Sequence, residues 1–126
     1  MAQKPIELLV ATLFLARDQA HRAHLAAKGR GSYAKHMALE AFYGGIVDLA
    51  DELVETYQGV MDELLDIPLA TQSDDQDIEQ TLESQLEYIH ADRYEAIPKD
   101  WTCLHNIVDE IEALYGRTLY KLRNLM

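Results

Sequence analysis

A chain of 126 residues with 48% hydrophobic side chains can close one hydrophobic core but not comfortably two, so residues 1–126 read as a single domain. Acidic residues number 22 against 11 Lys plus Arg, a formal charge of −11, and with so few and scattered cations neither nucleic acid nor a membrane surface is an expected partner. The single cysteine, Cys103, excludes an internal disulfide and any cysteine-based metal knuckle.

Apolar or small residues at Ile6, Leu9, Val10, Thr12, Leu13, Ala16 and Ala20 follow the steps of three and four that predict a first helix from Pro5 to about Lys28. The run Leu8 to Ala16 behind Lys4 has the length of a signal-peptide core, but Pro5 and Glu7 stand where a basic region belongs. It reads as the buried face of that helix, and the expected location is the cytoplasm, or a host's cytoplasm if the chain is phage-encoded. Gly29-Arg30-Gly31-Ser32 predicts a sharp reversal with Ser32 as N-cap.

A second helix is expected from about Tyr33 to Gln58, through Met37, Phe42, Ile46, Leu49, Leu53 and Tyr57, with Gly59 ending it. Gly44-Gly45 inside it cost roughly 2 kcal/mol relative to alanine, which implies a close helix approach. Val60 to Asp66 suggests a short helical turn, and Thr71 to Gln76 a polar loop. Ser73 with Gln76 forms a capping-box pattern before a third helix, roughly Asp75 to Ala91, with Ile78, Leu82, Leu86 and Ile89 on one face. After the break at Ala96-Ile97-Pro98-Lys99, Asp100 is placed to cap a last helix through Leu104, Val108, Ile111, Leu114, Leu119 and Leu122. Lys121 and Arg123 suit its C-terminus. No stretch alternates with period two and no glycine-rich phosphate loop is present, so the expected fold is all-α, a four-helix bundle with short third and fourth helices.

Five metal-compatible residues fall in the first two helices: His24, His36, Glu40, Asp51 and Glu55. The reversal between the helices can bring His24 near His36, while Glu40 and Glu55 lie one turn beyond His36 and Asp51 respectively. Fifteen residues separate His36 from Asp51, roughly 22 Å along a straight helix and about 60° around it. One chain cannot bring them to one ion. Two copies pairing their second helices antiparallel about a two-fold axis would place His36 and Glu40 of one opposite Asp51 and Glu55 of the other, twice per dimer.

The pattern His24, His36, Glu40, Asp51, Glu55, with Lys28-Gly29 after the first His, resembles the ferroxidase motif of the Dps-type miniferritins of the ferritin-like superfamily. The resemblance covers about Leu13 to Gly59. It implies a ferritin-like bundle, an intersubunit di-iron site with His24, His36, Asp51 and Glu55 as catalytic residues, and Fe(II) oxidation by hydrogen peroxide or oxygen, with zinc or manganese as substitutes for iron. It further implies a homo-oligomer built on a two-fold dimer, in the family's form a twelve-subunit cage. Departures are Leu25 where the family has an aromatic residue, Thr56 where it often has Arg, a shorter second half, and no lysine-rich tail for DNA. Gly29 to Ala34 and Thr118 to Leu122 also look like small ferritin-like proteins of tailed bacteriophages.

Other sites compete. His21 lies one turn before His24, beside Arg17 and Asp18, and fits an exposed salt-bridged face. Glu87 and His90 form a Glu-x-x-His of the kind found inside di-iron bundles, but there is one copy, with only His105 and Asp109 to assist. Otherwise Glu79, Glu83 and Glu87 make a solvated edge. Tyr115 and Tyr120 suit core or interface packing, and Cys103 a buried position. The rival function is a non-catalytic helical phage protein, a virion component or an oligomer that sequesters a ligand or host factor. It would use the same dimer with salt bridges or water where the metal would sit.

Overall fold

The computed structural model describes residues 2–72 and 77–125. Four helices make up its regular structure, α1 (Pro5–Ala26), α2 (Ser32–Met61), α3 (Ile78–Ala96) and α4 (Thr102–Asn124), with no strand among the described residues. None of these helices is long and apolar enough to cross a membrane.

The helices pack as a closed ring in the order α1, α2, α4, α3, with no Cα atoms of a diagonal pair within 8 Å of each other. Direction follows from the cross-helix contacts. Gln85 on α3 bonds Gln19 on α1, and Tyr88, one turn on, interacts with Thr12, so α3 runs antiparallel to α1 and parallel to α2. The segment from 62 to 77 must therefore return the chain along the full length of the molecule. It does so extended against α1, where Asp66 N–H meets Glu7, Leu69 and Ala70 lie beside Phe14, and Gln72 meets Gln19. Six residues of extended chain span about 20 Å, matching the roughly 18 Å from Glu7 to Gln19 on the helix.

Inside the ring the apolar faces meet. Leu13, Phe42, Leu53, Leu82, Ile89, Ile111 and Tyr115 are among the fully buried side chains, each contributing about 1.5–3 kcal/mol by leaving water. Phe42 meets Tyr115 edge-on at 4.9 Å between centroids. The Tyr115 hydroxyl donates to Gln85 at 3.0 Å, and burial pushes its ionisation far above the ordinary tyrosine value.

Several boundaries differ from the sequence expectation. The third and fourth helices are not short, at 19 and 23 residues against 22 for α1, because α3 continues past Ala91 to bury Arg93 and Ala96. The second helix passes Gly59 and ends at Met61, with Asp62 left-handed at φ 53°. Gly59 is exposed with open space around it, so it imposes no break, and residues 63–66 are not helical. Gly31, left-handed at φ 79°, rather than Ser32, is the N-cap of α2, and Trp101 rather than Asp100 that of α4. The Ser73–Gln76 capping box lies outside the described residues. Asp77 caps α3, its side chain accepting from Gln80 N–H at 3.0 Å. Cys103 is exposed, not buried, since it is rotated out by one residue from the inward Leu104, and of the two tyrosines expected in core or interface packing Tyr115 is buried and Tyr120 is exposed beside the inward Leu119.

Glu7 anchors the return segment. Its carboxylate accepts from Lys4 N–H at 2.9 Å and Asp66 N–H at 2.7 Å, and these backbone donors, Asp66 first, hold its carboxyl below the ordinary value of 4.5. A depressed folded value means the stabilisation is complete above the unfolded value and lost as pH falls through the folded one. The stability difference between native protein and Glu7→Gln, measured by urea unfolding, is expected to be largest above pH 4.5 and to shrink as the solution is acidified. A difference that is flat across this range would contradict the anchor.

Candidate metal centre

The α1–α2 reversal is built from Gly29 and Gly31, both at positive φ (91° and 79°), a backbone that L side chains rarely adopt. It brings the last turn of α1 against the first of α2, and with them the two imidazoles. His24 and His36 stack with centroids 3.6 Å apart and planes tilted by 24°. Each ring reaches the other's backbone: His24 Nδ1 lies 2.9 Å from the His36 carbonyl oxygen, and His36 Nδ1 lies 3.1 Å from the His24 carbonyl oxygen.

That reciprocity fixes the chemistry. A carbonyl oxygen only accepts, so both Nδ1 atoms donate, and the neutral ring then carries its lone pair on Nε2. Backbone carbonyls thus hold the two histidines in the tautomer and orientation suited to ligating a metal through Nε2. His24 Nε2 lies 4.0 Å from Glu40 Oε1. One ligand atom from each of His24, His36 and Glu40 falls within 4.8 Å of the others, and they are the one such group among the described residues. Two donors on one ion at about 2.1 Å stand at most about 4.2 Å apart. His24 is 6% exposed while Glu40 is exposed, so the carboxylate has room to turn toward an ion.

Asp51 and Glu55 are not brought to this group. They lie further along α2, exposed together with Asp48 and Glu52, as the helical rise requires within one chain. Two residues around the centre were not assigned to it by the sequence reading. His21 stacks on Tyr43 at 4.3 Å, and Tyr43 meets His24 edge-on at 5.3 Å. Tyr43 sits seven residues, two turns, after His36, a spacing that marked it as sharing that face. The expected salt bridge nearby joins Asp18 to Arg22, at 2.7 Å, and leaves His21 to the ring stack.

The competing Glu87 and His90 site does not assemble. His90 Nδ1 meets Glu112 at 2.9 Å, and Asp109 and His105 are both taken by Arg93. A guanidinium at the centre of these groups repels a cation. Glu79 and Glu83 pair with Arg123, and Glu87 is exposed, in keeping with a solvated edge.

Residues 24–122, which include all five candidate ligands, match a family described as a family of unknown function (DUF5856). No curated protein and no solved structure matches the chain.

Proposed function

We propose that the chain, which belongs to the DUF5856 family, binds Fe(II) as substrate at His24, His36 and Glu40, completes the site with Asp51 and Glu55 of a second copy, and acts as a ferroxidase that sequesters the product. The observation that carries this reading is the reciprocal pair of Nδ1–carbonyl bonds: two stacked imidazoles are locked with both Nε2 lone pairs available beside a carboxylate. The ring order of the helices and the one long return between parallel α2 and α3 support a ferritin-like bundle, in which a single long crossover is the usual connection.

The chain's own residues supply binding and geometry. Neutral imidazoles and carboxylates suit iron, and manganese or zinc can occupy the same donors. Two Fe(II) ions each give up one electron, and hydrogen peroxide takes both with two protons as its O–O bond breaks, leaving two Fe(III) and two waters. Carboxylates from both copies offset the added positive charge, and the surrounding acidic residues attract the cation.

Anaerobic Fe(II) titration followed by peroxide, read as ferric absorbance, tests the reading. Native protein is expected to bind iron in a fixed ratio and oxidise it well above the protein-free rate, and His36→Ala to fall to that background. This variant keeps the His36 carbonyl that orients His24, so its loss reports the ligand itself. Background rates in both proteins would overturn the ferroxidase reading. Light scattering of the same samples reads whether the oligomer is a dimer or a larger cage.

A further inference from the structure

Gly44 lies in the middle of a 30-residue helix, where a glycine costs about 1 kcal/mol relative to alanine. Its neighbour Gly45 has a reason within the chain, because a Cβ there would stand 3.1 Å from Leu114 Cδ2. Gly44 has none: it is exposed, and a Cβ would meet nothing within 4 Å. It sits on an outward stripe of α2 with Tyr33, Met37, Ala41 and Asp48, all exposed.

Charge along this stripe is divided. The reversal before it carries Lys28 and Arg30, and its first half includes His36 and a single acid, Glu40. Its second half carries Asp48, Asp51, Glu52 and Glu55, with Asp62 at the helix end. Acids three and four residues apart repel, and they sit toward the negative end of the helix dipole. No ion pair relieves them among the described residues. A parallel neighbour would double this repulsion, whereas a head-to-tail copy sets the acidic half against a half with one acid, Glu40, beside His36, where a shared cation offsets the Glu40–Asp51 repulsion, and brings Arg30 near Asp62.

We infer that this stripe is the contact with a second copy of the chain and that Gly44 is where the two α2 helices cross. The inference rests on the proposed shared metal site, which fixes the register. Matching Glu40 with Asp51 and His36 with Glu55 of the mate places the two-fold axis between positions 45 and 46. Gly45 packs on Leu114 and Ile46 is buried, so Gly44 and Val47 are the nearest outward residues. A residue without a side chain beside the axis lets the backbones approach closely. The cleft beside it, about 260 Å³ and lined by Phe14, Arg17, Val47, Ala50 and Asp51, opens onto the same contact.

Gly44 lies one and a half residues from this axis, about 2 Å along the helix, so the two copies of Gly44 approach each other across it, which gives a direct test. In a Cys103→Ser background, Gly44→Cys should form a disulfide-linked dimer under mild oxidation, since facing Cα atoms at a glycine crossing come within the about 4.4–6.8 Å that a disulfide spans. Glu110→Cys, exposed on α4, should stay monomeric on a non-reducing gel. Equal cross-linking at both positions, or none at 44, overturns the crossing. Gly44→Arg, which has room in the isolated chain, should lower the mass in solution to that of a monomer while retaining native helicity. An unchanged oligomer in that variant also overturns it. The two readings fail separately: a dimer linked through position 44 that binds no iron keeps the contact and removes the ferroxidase, while iron oxidised by a protein that remains monomeric removes the contact.

Discussion

Arg93→Met is expected to lower the stability of the folded chain by about 3 kcal/mol, the lower end for removing one partner of a buried charge network, and the melting temperature by roughly 10 °C. The guanidinium is 5% exposed and all three nitrogens are engaged. Nε donates to His105 Nδ1 at 3.1 Å, Nη2 to the His105 carbonyl at 2.7 Å, and Nη1 to Glu112 at 2.9 Å and Asp109 at 2.8 Å. Because His105 Nδ1 accepts, its Nε2 carries the proton and donates to the Ile97 carbonyl at 3.2 Å, closing the α3–α4 turn. Methionine matches the stem but leaves Glu112 Oε2 and the buried His105 acceptors without donors, with only His90 still meeting Glu112 at Oε1. Asp109 stays largely solvated, which keeps the cost from the top of the range. Arg93→Lys, with one compact charge in place of the fork, is expected to fall between the two. The network lies at the opposite end from His24 and His36, so iron bound per folded chain should not change. A loss under about 1 kcal/mol in chemical denaturation, the size of a surface pair, would show that the network does not hold the turn.

This network also marks where sequence reasoning stops. His90, His105 and Asp109 were legible as metal-compatible residues, but a periodic pattern does not reveal that Arg93 turns inward and consumes them. The apolar faces of all four helices were readable from their spacing, and the two-glycine reversal from the glycines themselves. Boundaries were less so: Gly59 has the residue type of a stop, yet exposure lets the helix run on to Met61, and one residue of rotation decides whether Cys103 or Leu104 faces the core. At the candidate site, the sequence identified His24, His36 and Glu40 as neighbours, and the structure brings them together. The reciprocal carbonyl bonds that set both tautomers were not legible, because they depend on the depth of the turn rather than on side-chain identity. Tyr43 was missed for a related reason, as an aromatic residue at helical spacing reads first as packing.

The sharpest consequence of a shared site is complementation between two inactive proteins. His36→Ala alone should not oxidise iron, nor should the double variant Asp51→Asn, Glu55→Gln, because in either homodimer both sites lack one chain's contribution. Co-expressed in equal amounts, the two should recover about one quarter of native activity: random pairing makes half the dimers mixed, and each mixed dimer holds one intact site of two. The intact site joins the histidines of the double-variant chain to the carboxylates of the His36→Ala chain, while its twin lacks both. A site within one chain predicts no recovery, since every chain is damaged. Asp51 and Glu55 are exposed on α2, so the amide replacements remove charge without opening the core, and circular dichroism should confirm unchanged helicity. Purifying the mixed dimer through different tags should raise the recovery to about one half. Activity at background in a mixed dimer that is verified as such would rule out ligands donated across the two-fold axis, even if each chain still binds metal through His24 and Glu40.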